Sequence, residues 1–166
     1  EDPDVDVLAI LTTITDEFAR VSMHGVREEV LDLQARALDL PCVKVRIPFP
    51  CPDEVYEERM RAVMEDLKSD GVQEVAFGDL FLQDVRRYRE RNLEMVGMGA
   101  RFPLWQEDTA RLARRMQREG VKAVITALDP RKVDPDLAGR SWDPSLLAEL
   151  PPTVDPCGEN GEFHTV

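Results

Sequence analysis

Four short β-forming runs, at residues 7–13, 43–47, 74–77 and 123–128, are separated by amphipathic stretches, and this alternation confines the chain to few architectures. It is the pattern of a parallel sheet covered by crossover helices. Val26, Val30, Leu33 and Ala37 recur at helical spacing between the first two runs, as do Tyr56, Met60, Val63 and Leu67 between the next two. Further helices are expected over residues 85–95 and 109–118, and a short one near 145–150. The runs show no strict alternation, so strands buried on both faces are expected. Ser69-Asp70-Gly71-Val72 and Arg118-Glu119-Gly120-Val121 each read as a helix closed by glycine before a strand, and Gly97-Met98-Gly99 reads as a turn. Beyond Asp129, six prolines leave room only for the short helix. The expected division is an α/β nucleotide-binding domain over 1–129 and an irregular extension over 130–166, draped on the sheet.

At 166 residues, with 43% hydrophobic and 33% charged, the chain can bury one real core. A net charge of -12 and a pI near 4.6 argue against nucleic acid as partner, since phosphate contacts need clustered Lys and Arg. The densest basic run, Arg86-Arg87-Tyr88-Arg89-Glu90-Arg91, distributes its charges around a helix and reads as a solvated face. Three cysteines make no disulfide framework, which points to a reducing, cytoplasmic setting. Cys42 reads as the start of a buried strand. Cys51, Cys157, His24 and His164 offer zinc-ligand types without a Cys-x-x-Cys pair. No membrane-length apolar run or signal peptide is visible. The first residue is Glu1, so the natural N-terminus is expected upstream.

In a parallel α/β sheet, ligands bind beyond the carboxyl ends of the strands. The first run leads through Thr12-Thr13 to Ser22-Met23-His24-Gly25-Val26-Arg27, where His24 is either a ligand-facing imidazole or a helix cap at a site suited to an anion. The second ends in Pro48-Phe49-Pro50-Cys51-Pro52, a stiff wall. The third ends in Phe77-Gly78-Asp79: glycine permits close approach of a ligand, and Asp79 is either its carboxylate partner or a cap. The fourth ends in Asp129-Pro130-Arg131-Lys132, whose cations suit phosphate or carboxylate, or only solubility. Trp105 either stacks on a planar base or packs in a core. In Asp155-Pro156-Cys157-Gly158-Glu159-Asn160-Gly161-Glu162-Phe163-His164-Thr165-Val166, Gly158, Asn160 and Gly161 tolerate positive φ. The result is either a polar tail or a loop curled to present Glu159, Glu162 and His164 inward.

Arg20-Val21-Ser22-Met23-His24-Gly25-Val26-Arg27, Ala76-Phe77-Gly78-Asp79-Leu80, Phe102-Pro103-Leu104-Trp105 and the terminal block from Asp155 to Thr165 resemble signature blocks of the ATP pyrophosphatase family that includes diphthine-ammonia ligase, specifically its prokaryotic relatives. The resemblance implies a three-layer parallel sheet of the adenine nucleotide alpha hydrolase (Rossmann-like) type, and an ATP-dependent ligase that adenylates a carboxylate, releases pyrophosphate and transfers ammonia. By that resemblance Leu11, Thr12 and Thr13 lie by the adenine, and Gly78 and Asp79 by the nucleotide and its Mg2+. The stretch Gly158, Glu159, Asn160, Gly161, Glu162 and His164 lies by an acceptor carboxylate, which can be that of a protein; His24 is assigned to the substrate and Lys132 to stabilising the adenylate. The family opens with a strand and a Ser-Gly-Gly-Lys-Asp-Ser pyrophosphate loop, and this sequence contains neither. The chain is therefore expected to lack the first strand and helix of that fold, to be inactive as it stands, and to be marginal, oligomeric or aggregation-prone. The rival expectations are a non-catalytic adenine-nucleotide-binding or regulatory module, and a metal-binding protein using Cys51, Cys157 and His164.

Overall fold

The computed structural model describes residues 3–166. In chain order the elements are β1 (Ile10–Thr15), β2 (Arg20–Val21), α1 (Glu28–Ala37), β3 (Cys42–Ile47), α2 (Asp53–Ser69), β4 (Glu74–Ala76), α3 (Gln83–Met95), β5 (Gly99–Arg101), α4 (Thr109–Arg118), β6 (Ile125–Leu128), α5 (Pro144–Glu149) and β7 (Phe163–Thr165). The fold is mixed α/β, and its strands form three small sheets, ordered β2-β1-β3, β4-β5 and β6-β7. All four expected strands and all five expected helices are present. Among the described residues no helix is long and apolar enough to cross a membrane.

The chain forms two compact units. The first comprises the described residues up to Val75 together with Arg89–Ala100; the second comprises Ala76–Tyr88 and Arg101–Val166.

In the first unit β1 and β3 run parallel, in register from Ile10↔Cys42 to Thr15↔Ile47, with α1 as the crossover between them. The expectation of strands buried on both faces fails here for a visible reason. Val45 and Ile47 are buried while Lys44 and Arg46 alternate with them. Lys44 pairs with Glu28 at 3.0 Å and Asp32 at 2.5 Å, and Arg46 with Glu28 at 2.7 Å and Asp16 at 3.2 Å, so the opposite face carries a charge network. Leu31 and Ala35, one turn apart, form the buried side of α1. The helix α2 ends as its sequence foretells: Gly71 takes φ 96°, and Val72 N reaches back to Leu67 O at 3.0 Å. Gly97 makes the turn after α3 at φ 67°, but Gly99 opens β5 instead of sharing that turn.

In the second unit β6 and β7 are antiparallel, pairing Leu128 with Phe163 and, across an irregularity, Ile125 with Thr165. The other side of β6 bonds to residues 139–142, just before α5, with Ile125 N donating to Arg140 O at 3.0 Å and Trp142 N to Ala123 O at 2.8 Å. Ala113 of α4 and Ile125 of β6 form a core with Val133, Trp142, Leu146, Val154 and Phe163. Residues 130–166, expected to drape on a sheet, thus supply most of this core. Trp142 is held inside it by donation from Nε1 to Pro156 O at 2.9 Å.

Candidate functional site in the second unit

After β4, Phe77 N donates to Arg101 O at 2.9 Å, and the chain turns through Gly78 and Asp79 into Leu80. Leu80 is buried, and both halves of its backbone are taken: its amide donates to Glu159 Oε1 at 2.7 Å, and its carbonyl accepts Gln106 N at 2.7 Å. Gln106 adopts a left-handed φ of 63° to make that contact. The Gly78-Asp79 turn is therefore tied to the C-terminal loop across 79 positions of sequence.

That loop is organised by its own carboxylates. Asp155 Oδ1 accepts Cys157 N at 2.8 Å and Glu159 N at 3.5 Å, an Asx-type turn. Glu162, only 2% exposed, accepts Asp155 N at 3.0 Å and Asn160 Nδ2 at 3.2 Å on Oε1, and Asn160 N at 2.9 Å on Oε2. Burial pushes the Glu162 carboxyl up, but the hydrogen bonds from the Asp155 amide and from Asn160 together outweigh it and hold the group below the usual carboxylate range. Gly158 and Gly161 both take φ 73°. At Gly158 a side chain is excluded twice over, because a Cβ would also stand 2.6 Å from Phe163 O. Asn160, expected to share the positive φ, is not among the residues that do.

The end of β6 joins the same cluster. Asp129 N donates to Glu162 O at 2.9 Å, and Lys132 Nζ donates to Asn160 O at 2.6 Å. The Asp129 carboxylate is chelated by Arg131, through Nε at 2.9 Å and Nη2 at 2.8 Å, which lowers its pKa to about 2. Three segments named from the sequence are thus brought together: Gly78-Asp79, Arg131-Lys132 and the loop from Gly158 to Glu162. His164 stands next to them in β7, opposite Ala127, with its carbonyl accepting Thr126 Oγ1 at 3.2 Å.

Leu11, Thr12, Thr13 and His24 belong to the first unit. The threonines and Leu11 lie in β1, and Thr13 O accepts Ser22 N at 3.0 Å. His24 is exposed in the loop that follows β2, a strand whose short return to β1 the sequence did not announce. The N-terminus of α1 that follows already carries Glu28 and Glu29 in its first turn, and Lys44 and Arg46 hold the Glu28 carboxyl below its usual range.

Cys157 is half-buried, with Sγ near Thr109 O at 3.4 Å; burial, then the Asp155 and Glu159 carboxylates, push its thiol up to about 11. It is a neutral thiol at physiological pH. Among the described residues no three His, Cys, Asp or Glu side chains group to hold a metal ion by themselves. A magnesium ion needs less, since one or two carboxylates with substrate phosphates suffice. Asp79 supplies one carboxylate next to the turn glycine, with Oδ2 withdrawn from solvent.

Trp105 is covered by a neighbour that sequence reasoning assigned to solvent. The Arg86 guanidinium lies 4.7 Å from its ring centroid and 4.8 Å from that of Phe102, which in turn stacks on Phe77 at 5.4 Å. The basic run concealed this because a helix carrying four arginines in six residues turns some of them inward, here Arg86 and Arg89. Asp155 and Gln106 were also missed, although Asp-Pro at the head of a Gly-rich loop is a turn signal.

Comparison of the sequence with models of known protein families and with curated proteins finds no match.

Proposed function

We propose that the second unit carries the carboxylate-handling part of an ATP-dependent amide-forming ligase of the diphthine-ammonia ligase type, built on the three-layer Rossmann-like sheet of the adenine nucleotide alpha hydrolases and working in the cytoplasm. The observation that supports this most is the 2.7 Å hydrogen bond from Leu80 N to Glu159, which joins the Gly78-Asp79 turn to the C-terminal loop. In this reaction an acceptor carboxylate oxygen bonds to the α-phosphorus of ATP as the bond to pyrophosphate breaks. Ammonia nitrogen then bonds to the acyl carbon, loses a proton, and AMP departs with the electrons of the broken C–O bond. Gly78 gives the nucleotide access to the backbone, and Asp79 would hold Mg2+, which when bound neutralises phosphate charge. Lys132 spends one donor on Asn160 O and has two left for an oxyanion. Glu162 shapes the loop instead of touching the acceptor, since its carboxylate is occupied within the loop. The pyrophosphate-binding amides and lysine are not in this sequence, so the chemistry requires them from another segment or chain.

A second reading, a non-catalytic adenine-nucleotide-binding or regulatory module, is favoured by one observation: the carboxylates of Glu159 and Glu162 accept from backbone amides and Lys132 donates to a backbone carbonyl, so these groups are already engaged in holding the loop. Calorimetry with magnesium-ATP and an assay of pyrophosphate release separate the two. Asp79→Ala is expected to weaken binding or turnover by at least about tenfold. Unaltered binding and turnover in a folded variant would remove Asp79 from the site, and binding without release would favour the module.

A further inference from the structure

A groove of about 640 Å³ lies at the other end of β6, in the second unit, where the chain passes from α4 into the strand. Its walls include Val121 and Val124, 42% and 38% exposed, and it is rimmed by Arg114, Arg118 and Lys122. None of these three cations forms a side-chain hydrogen bond or ion pair among the described residues, whereas the adjacent Arg115 is paired with Glu107 at 2.9 Å. Arg114 and Arg118 stand one helical turn apart, where like charges repel. The helix C-terminus favours Arg118, but Arg114 lies a turn earlier and Lys122 beyond the end. Asp143, the acid in the lining, caps α5 by accepting Leu146 N at 2.9 Å. In a chain of net charge -12, three cations outside any ion pair among the described residues are gathered around exposed apolar side chains.

We propose that this groove binds a small amphiphile with an apolar body and an oxyanion head, carboxylate or phosphate. The volume falls in the range of small-molecule sites, which combine apolar walls with a few placed polar groups. Guanidinium groups meet carboxylate or phosphate through paired N–H donors, and a bound anion relieves the repulsion between Arg114 and Arg118. The site is separate from the cluster around Leu80 and does not depend on its function.

The test is calorimetric titration of the protein at low salt with decanoate, decyl phosphate, decanol and acetate. Saturable binding of decanoate or decyl phosphate at one equivalent is expected, with the stronger of the two identifying the head group. Decanol and acetate should each bind at least about tenfold more weakly, and Arg114→Gln with Arg118→Gln should weaken the anionic ligand by at least about tenfold. Val121→Ser should weaken it as well, without changing the charge. Decanol binding as well as decanoate, or anion binding indifferent to loss of both arginines in a folded variant, would overturn the proposal; so would no binding by either amphiphile.

Discussion

Glu162 has almost no contact with water, yet its carboxylate is kept ionised by amides from its own loop. Replacing one carboxylate oxygen by an NH2 group, as in Glu162→Gln, sets a donor against the Asp155 or Asn160 amides while leaving the shape unchanged. The expected loss is about 1–3 kcal/mol at neutral pH, the cost of a buried donor without an acceptor. Because the folded pKa is depressed, this stability is fully present above the unfolded carboxyl pKa of about 4.3 and is lost as pH falls through the lower folded value. Urea unfolding at pH 7 and in acid should therefore show the difference between wild type and Glu162→Gln narrowing as pH falls. A difference that stays constant with pH would mean that the ionised form has no special place in the loop.

At the scale of elements, the turn after β4 depends on a group far away in sequence. Glu159→Ala removes the acceptor of the buried Leu80 amide and should speed hydrogen exchange there by at least about tenfold, whereas Glu159→Gln keeps an acceptor oxygen and should restore protection. Unchanged Leu80 exchange in the alanine variant would show that the turn holds itself. Local periodicity makes α4 readable at residues 109–118, where Leu112, Ala113 and Met116 define its inner side and Asp108 caps it. It cannot reveal β2, β5 and β7, which have two or three residues each and complete no period. Gly158 was legible as a turn residue from its own chemistry. Its loop's attachment to Leu80 was not, because a backbone amide leaves no trace in composition, and the alternation of Lys44 and Arg46 with Val45 and Ile47 was overlooked beneath the run's overall β character.

For the whole molecule, β3 (Cys42–Ile47) has β1 as its strand neighbour among the described residues, and on its other edge Arg59 caps the Arg46 carbonyl, which leaves Cys42 and Lys44 as the backbone for pairing. Mutual repulsion from a net charge of -12 opposes such association and is screened by salt. Sedimentation velocity should show a mass that grows with protein concentration and grows further at high salt. A monomer at low and high salt throughout the micromolar to millimolar range would exclude this edge as a self-pairing surface. The division into units has another outcome, at the level of the gene. The chain passes between them after Val75, after Tyr88 and again after Ala100. Neither unit is one uninterrupted reading of the coding sequence, so recombination cannot transplant either as a cassette with a single pair of breakpoints without leaving some of its residues behind or carrying some of the other's along.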